Sequence, residues 1–485
     1  MKPHLQKMLR AVGTSLVAIL LLAVAAQSVR AQSEDPQKQQ PEVQQLKDRV
    51  KQLEQTVEEL KGQIGAIEET RRNSDVAVGE TVATPSTAPI TGELPAEQPA
   101  AKTAEKKQSG GNTFEVYGFA MLDMGYQFKQ NHPDWFDVIR PTKLPSFKDE
   151  FGPDGHTYFG VRQTRLGVRS STPTKYGDLK TLFEFELFGT GVDAGQTTFR
   201  LRHAYGELGQ FGAGQTWSPF MDIDVFPNTV EYWGPVGMVF FRNVQARWMP
   251  IKGRSRVTIA LERPGASGDQ GVFADRIELQ GIKPKFAWPD LSWEARYGKD
   301  WGYVELAGIF RSIRWVDTND DQFDLGGSDL GWGLNLSSNL NFTKNDIGRF
   351  QVVYGEGIQN YMNDAPVDVG IKNNLSAGDP RRPIKGVALP VLGVVAFLDH
   401  NWNKRFSTSV GYSMENISNS DAQASSAFRR GHYGIANLLF YPADRVMVGG
   451  EFQWGRRENF RDGFTADDFR IQISMKYNFS KLWEF

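Results

Sequence analysis

Two segments of the chain place an apolar residue or glycine at every second position over a length that soluble proteins seldom need. From Thr113 to Phe128 the even-numbered residues are all apolar or glycine. From Phe469 to Phe479 the odd-numbered residues are apolar and the even-numbered residues are polar. Because the side chains of a strand point alternately to its two faces, each segment would present one apolar face. Apolar faces about ten residues long with aromatic residues at both ends are typical of strands that cross an outer membrane.

Strands of this kind have to close into a barrel, because every backbone polar group in lipid needs a partner. Short turns such as 441–444 alternate with long polar stretches such as 129–156 and 361–385, as periplasmic turns and external loops would. About seventeen segments between 113 and 479 alternate, and two termini on one side of the membrane require an even number. We therefore predict an all-β transmembrane barrel of about 16 antiparallel strands, with 18 left open by Pro284 and Pro289 in residues 275–300. A barrel of this size leaves room for an aqueous channel.

Residues 1–31 have the pattern of an export signal. Lys2, Lys7 and Arg10 precede an apolar stretch from 11 to 26, and small residues follow up to Ala31. This order is typical of a secretory signal peptide, which would be cleaved after Ala26 or after Ala31. Export and the two long terminal strands together disfavour a soluble β-sandwich, whose strands are shorter.

Residues 32–70 are predicted to form an α-helical coiled coil. Apolar residues recur there at alternating steps of three and four, which keeps one seam of a helix facing a partner. Valine at position a with leucine at position d of the heptad favours a dimer, whereas isoleucine at both positions in the last heptad favours a trimer. The heptads therefore leave the stoichiometry open. Residues 71–112 are rich in Thr, Pro, Ala, Glu and Lys, and we predict a flexible linker. The seam consists of Val43, Leu46, Val50, Leu53, Val57, Leu60, Ile64 and Ile67.

The polar faces of the predicted barrel, residues 113–485, carry many arginines. Lys+Arg 55 against Asp+Glu 57 gives a net charge of -2, so no excess of positive charge points to nucleic acid. Arginine is costly on a lipid face, so these side chains should point into the lumen. Glu186 would lie across from Arg200 and Glu184 from Arg202, so the wall is either neutralised by cross-strand pairs or attractive to anions. The arginines predicted to face the lumen are Arg165, Arg169, Arg200, Arg202 and Arg247.

Residues 221–238 do not alternate and contain several prolines and glycines, which indicates a loop. Asp222 and Asp224 lie in this loop, next in sequence to the arginine-bearing strands. The loop would either fold into the lumen as a constriction or remain an ordinary external loop.

Nothing in the sequence forms a catalytic or metal-binding pattern. The six histidines are scattered, and the chain has no cysteine, which excludes disulfides and thiolate ligands. Gly212 and Gly214 lack the strand–turn–helix context that a nucleotide-binding loop requires. We therefore expect neither an enzyme nor a cofactor or metal site.

The order of signal peptide, heptad helix, linker and barrel resembles the DcaP-like trimeric porins of Gram-negative outer membranes. The segments that carry the resemblance are 114–119, 163–168, 199–208, 214–222, 354–358 and 476–479, and the run 199–222 is the most specific. The resemblance implies a homotrimer, a constricting third loop and uptake of small anionic solutes such as dicarboxylates. It would place the five arginines named above on the basic side of the constriction and Asp222 and Asp224 at the inserted loop. One departure is that the assembly-type ending Tyr477–Phe479 is followed by six further residues, so the last strand ends either at Phe479 or at Phe485.

These observations predict a porin in the outer membrane, with its coiled coil in the periplasm. The channel would admit small hydrophilic solutes by passive diffusion with a preference for anions. Its expected partners are further copies of itself, outer-membrane lipids, small anionic solutes and the barrel-assembly machinery. The alternative is a structural anchor whose coiled coil tethers the barrel to peptidoglycan.

Overall fold

A computed structural model of the chain describes residues 111–375 and 378–485. The predicted signal peptide, the coiled coil and all but the end of the predicted linker lie outside the described residues. Within the described part no helix is long and apolar enough to cross a membrane.

The described residues form a barrel of sixteen antiparallel strands, of which β2 and β8 are each built from two segments. A separate two-stranded hairpin, Val369–Asn373 with Ile384–Ala388, lies between β11 and β12. The barrel strands are β1 (Thr113–Gln127), β2 (His156–Gly160 and Arg165–Thr174), β3 (Gly177–Phe188), β4 (Thr197–Leu208), β5 (Phe211–Trp217), β6 (Arg242–Ile251), β7 (Arg256–Glu262), β8 (Ile282–Pro284 and Asp290–Lys299), β9 (Gly302–Asp317), β10 (Gly327–Asn341), β11 (Asp346–Glu356), β12 (Pro390–Asn403), β13 (Phe406–Ile417), β14 (Phe428–Ala443), β15 (Val446–Asn459) and β16 (Thr465–Glu484).

The first and last strands close the barrel. β1 pairs antiparallel with β16 along its whole length, from Thr113 opposite Glu484 to Gln127 opposite Arg470. Both segments of β2 pair with the other edge of β1. The last strand thus continues past Phe479 to Glu484, which decides between the two endings that the sequence left open.

The prediction of 16 strands is confirmed, and the two interruptions explain why the alternation suggested about seventeen segments. In β8, both segments pair with β9, and residues 285–289 bulge out between them. This is the stretch in which Pro284 and Pro289 made the count uncertain. Proline cannot donate a ladder hydrogen bond, so it is found in strands mainly at edges and bulges.

The two faces of the strands follow the period of two. In β16 the exposed residues include Ile471 and Ile473, whereas Arg470, Gln472 and Ser474 are fully buried on the inner side. Short turns join the strands at the end of the barrel where the chain enters and leaves, and the long loops lie at the other end. Several long loops pack on one another outside the barrel through an apolar cluster of Leu279, Leu325, Ile371, Ile384 and Ala422.

Candidate functional site: the constriction loop and the ionic wall

The loop between β5 and β6, residues 218–241, lies inside the barrel and is called here the constriction loop. Many of its apolar side chains, among them Phe220, Val225 and Met238, are almost fully buried. They pack against inward-facing apolar residues, where alternation alone would predict polar ones. Those wall residues are Ala307, Ile309, Val353, Val391, Val395, Phe397, Tyr433 and Ile435. The loop therefore covers the inner face of β9 to β14 as a second layer of core.

One end of the constriction loop is tied to the wall by Arg296 of β8. The Arg296 guanidinium donates to Asp222 at 2.5 Å and to Glu305 of β9 at 2.6 Å, and it also contacts Asp224. Asp222 accepts further hydrogen bonds from the hydroxyls of Tyr303 at 2.7 Å and of a β10 serine at 2.6 Å. Burial raises the pKa of Asp222, but Arg296 and a second arginine outweigh it and hold this pKa below its ordinary value. Asp222 is therefore an ionised, fully satisfied contact between loop and wall.

Further charged residues on the inner wall of β7 to β9 join Arg296, and the group is called here the Arg296 cluster. Arg256 donates to Glu294 at 2.9 Å and to Glu305 at 3.0 Å. With Asp222 and Asp224, this cluster holds four acids and two arginines, a formal charge of -2. It consists of Asp222, Asp224, Arg256, Glu294, Arg296 and Glu305.

The middle of the constriction loop is held by its own buried glutamate, Glu231. Its carboxylate accepts backbone N–H bonds from Gly234 at 2.6 Å and from Ile139 of the first external loop at 3.1 Å. The Arg470 guanidinium lies 3.7 Å away, and Glu451 of β15 accepts the backbone N–H of Glu231 at 3.2 Å. Burial, together with the nearby Glu451, raises the pKa of Glu231 to about 7.

Docking of the constriction loop should therefore weaken as pH rises. In the docked loop Glu231 keeps its proton up to a pH of about 7, whereas in a released loop it loses the proton above pH 4.5. The protonation of Glu231 therefore stabilises the docked loop fully below pH 4.5, and this stabilisation is lost as the pH rises through about 7. Between pH 5 and 8 we expect a loss of about 2 kcal/mol, measured by hydrogen exchange of residues 229–237 after correction for intrinsic rates. Glu231→Gln should remove most of this pH dependence, and Glu278→Gln in another external loop should not. Full pH dependence in Glu231→Gln would show that another group is responsible.

The tip of the constriction loop is clamped by two other external loops. The Arg140 guanidinium packs against the rings of both Trp135 and Trp233, at 4.1 and 4.2 Å from their centroids. It also donates to Asp364 at 2.8 Å, and the indole N–H of Trp233 donates to the carbonyl of Asn363 at 2.9 Å. Three loops are thus joined through one cation.

A second ionic cluster lies on the inner wall of β2, β3, β4 and β6 and is called here the Glu186 cluster. Arg202 donates to Glu184 and to Glu186, both at 2.6 Å. Arg165 lies 3.7 Å from Glu184 and 3.4 Å from Glu186. Arg200 and Arg242 approach Glu186 at 3.6 and 3.8 Å, and Tyr232 of the constriction loop donates its hydroxyl to the same carboxylate. Four arginines surround two glutamates, which gives a formal charge of +2.

A bulge in β4 concentrates this charge. Glu186 lies opposite Arg200, as the sequence predicted, but Glu184 lies opposite His203 rather than Arg202, because Arg202 is the extra residue of a register shift. Arg202 and His203 are both buried, so two consecutive side chains point inward. The Arg202 side chain still reaches Glu184, so the predicted contact forms by a different register.

Not all predicted site residues come together. Arg165, Arg200, Arg202, Glu184 and Glu186 form the Glu186 cluster, whereas Asp222 and Asp224 belong to the Arg296 cluster. Arg169 stands apart and pairs with Glu115 of β1 at 2.6 Å. Arg247 is also separate: it donates to the Gln245 side chain at 3.0 Å and to the backbone of Trp217.

Several residues of the two clusters were absent from the prediction. Arg296 and Glu305 lie on the polar faces of regularly alternating strands, so the period of two could have identified them. The period of two could not have identified Arg242 and Tyr232, since Arg242 begins a strand and Tyr232 lies in a loop. Within residues 111–375 and 378–485, no group of three or more His, Asp or Glu side chains is arranged to hold a metal ion.

A closed sixteen-stranded antiparallel barrel, with ionic clusters on its inner wall and a loop folded into it, belongs to the porin class of outer-membrane proteins. Residues 156–479 match the model of the DcaP outer membrane protein family, and the chain belongs to that family. This places the protein in the outer membrane and confirms the resemblance described above.

Two solved structures show the same fold. The outer membrane channel DcaP of Acinetobacter baumannii aligns with a TM-score of 0.63 at 18% identity, over 77% of this chain and 99% of that one. An anion-selective porin from Comamonas acidovorans aligns with a TM-score of 0.50 at 10% identity, over 76% of this chain and 100% of that one. No curated protein sequence matches the chain.

Proposed function

We propose that the protein is a channel for passive diffusion of small hydrophilic solutes and that it prefers anions. The proposed anion preference rests on which charged groups of the inner wall are exposed to water. The side chains of Arg169, Arg200 and Arg256 are 37%, 28% and 26% exposed. The two carboxylates of the Glu186 cluster, Glu184 and Glu186, are buried. A passing solute would meet guanidinium groups first, with the carboxylates behind them.

The Arg296 cluster has the opposite formal charge, but it is mostly shielded. Asp222 and Glu305 are fully buried and Glu294 nearly so, which leaves Asp224, 23% exposed, as its acid in contact with water. Charges that line a narrow aqueous passage act strongly because the surrounding protein focuses their field. Dicarboxylates, the solute class implied by the resemblance, would suit several exposed cations on one wall.

The assembly forms a further part of the proposal. Three copies would associate in the membrane, and the predicted coiled coil of residues 32–70 would lie in the periplasm and hold them in register. The barrel-assembly machinery would insert each copy.

Selectivity is tested by single-channel recording of the purified full chain in a salt gradient. We expect ohmic steps in groups of three and a reversal potential on the anion side. The variant Arg169→Gln, Arg200→Gln, Arg256→Gln removes these three exposed cations and leaves the buried ion pairs of Arg165 and Arg202. Its reversal potential should shift toward the cation side. A matched control, Lys344→Gln, Lys404→Gln, Arg405→Gln, removes three exposed cations at the short turns and should leave it unchanged.

Three outcomes would contradict the proposal in different ways. A cation-side reversal potential in the unaltered protein would contradict the proposed anion preference but not the proposed channel function. An unchanged potential in the first variant would mean that the wall is neutral. Negligible conductance, with cosedimentation of residues 32–70 and peptidoglycan, would favour the structural anchor.

A further inference from the structure

Four basic residues share the outer surface of the barrel at the long-loop ends of β7, β8 and β9. The backbone N–H of Lys285 donates to the carbonyl of Arg314 at 2.8 Å, so these residues lie side by side. Lys283 is opposite Val316, two positions further along the same face. Arg263 follows β7 two positions beyond Leu261, which faces outward. All four side chains are exposed, and we call them the outer basic patch: Arg263, Lys283, Lys285 and Arg314.

The position of the outer basic patch relative to the membrane follows from its neighbours. On the same three strands, nearer the middle of the barrel, three exposed apolar residues lie opposite one another and face the lipid. They are Leu261, Leu291 and Phe310. The bulge at residues 285–289 projects Trp288, which is 65% exposed, from the same surface. Tryptophan at the edge of an apolar belt marks the membrane–water interface. The four cations therefore lie at headgroup level on the external side.

The charge of the outer basic patch is not neutralised by ion pairs. Among the ion pairs of the described residues none involves its four members, and the outward positions of β7 to β10 carry no acid. The nearby loop residue Glu278 is already paired with Arg276. The corresponding surface of β14 to β16 is different, because Arg430 and Arg456 there contact Glu458. The patch is thus a local excess of four positive charges facing the lipid headgroups.

We propose that the outer basic patch binds the phosphate groups of a phosphorylated lipid headgroup in the external leaflet. Arginine and lysine are the side chains that bind phosphate most strongly, and each cation near an anionic membrane surface contributes substantially to binding. Four cations on three adjacent strands could engage two phosphates of one headgroup, while Trp288 and the apolar belt contact its acyl chains. This site lies on the outside of the barrel and is independent of the proposed channel function.

The test measures binding of lipid A, a bisphosphorylated glucosamine disaccharide lipid, to the full-length protein in detergent by native mass spectrometry. In the variant Arg263→Gln, Lys283→Gln, Lys285→Gln, Arg314→Gln, we expect affinity for lipid A to fall at least about tenfold. The control Lys344→Gln, Lys404→Gln, Arg405→Gln, Lys481→Gln makes the same change in net charge at the periplasmic end and should bind normally. Lipid A stripped of both phosphates should bind the unaltered protein as weakly as bisphosphorylated lipid A binds the patch variant.

Equal binding by the patch variant and the control, or equal binding of phosphorylated and dephosphorylated lipid, would overturn the proposal. Competition by inorganic phosphate at the same molarity as lipid A would show a small-anion site instead and would also overturn it. A change in the number of protein copies per particle, confined to the patch variant, would show that a second copy occupies this surface. Single-channel conductance serves as a folding control and should be the same in both variants.

Discussion

Arg296→Met is expected to lower the free energy of unfolding by about 3–5 kcal/mol and to release the constriction loop. Arg296 is the cation shared by Asp222, Asp224 and Glu305, and the side chains of Asp222 and Glu305 are fully buried. Methionine fills a similar volume but removes the cation that Asp222 and Glu305 share and leaves only Arg256, which contacts Glu305 at 3.0 Å. Removing one partner of a buried ion pair is strongly destabilising. Chemical denaturation followed by tryptophan fluorescence measures the loss, and single-channel recording should show larger and less uniform conductance steps.

The matched control is Arg254→Met, at the short turn after β6. Arg254 pairs with Asp300, but the two side chains are 73% and 96% exposed, and exposed pairs contribute little because water screens them. We expect this control to unfold at the same denaturant concentration as the unaltered protein. A similar small effect from Arg296→Met would mean that the constriction loop is held by its apolar contacts alone.

The barrel could be predicted from sequence because its determinants are local. Alternation in residues such as Ile471, Gln472 and Ile473 records which face meets lipid, and that requirement applies to every membrane strand independently. The strand count was less secure where a single strand is interrupted, as at Pro284 and Pro289. A break of a few residues looks the same in sequence whether the chain turns back or continues after a bulge.

The wall was predicted in part because cross-strand neighbours follow from hairpin register. Glu186 opposite Arg200 required only a correct turn position, and the structure places them so. Glu184 opposite Arg202 failed because one extra residue at a bulge shifts every later pair. The convergence of Arg242 on Glu186 could not be predicted at all, since it depends on how far the barrel wall curves.

The sequence contains an indication of where the constriction loop packs, but a search for alternating apolar and polar residues does not detect it. In β12 both faces are apolar, since Val391, Val395 and Phe397 point inward and Leu392 and Leu398 outward. A strand with two apolar faces is covered on both sides, and inside a barrel the cover has to come from the chain itself. This pattern indicates that a loop packs against β12, but several long loops could supply it. Only the three-dimensional structure selects residues 218–241.

Gly237→Ala is expected to displace the same loop from its other side. Gly237 has φ +78°, and a Cβ atom there would lie 2.1 Å from the carbonyl oxygen of Met414 in β13 and 3.1 Å from the Cα of Gly393 in β12. Both neighbours are backbone atoms of the barrel wall, which cannot move aside as a side chain could. The loop would have to shift, with an expected cost of about 1–3 kcal/mol for the overlap in addition to the strain of a positive φ.

Gly463→Ala separates these two contributions. Gly463 has φ +75°, nearly the same as Gly237, but nothing lies within 4 Å of the Cβ position. This control should therefore lose only about 1 kcal/mol from the backbone strain and keep the normal conductance. Gly237→Ala should lose more in denaturant unfolding and should show additional conductance levels, because a loop that is lifted from β12 and β13 no longer occupies one position in the lumen. Equal stability and equal conductance of the two variants would mean that the close approach of Gly237 to the wall does not position the loop.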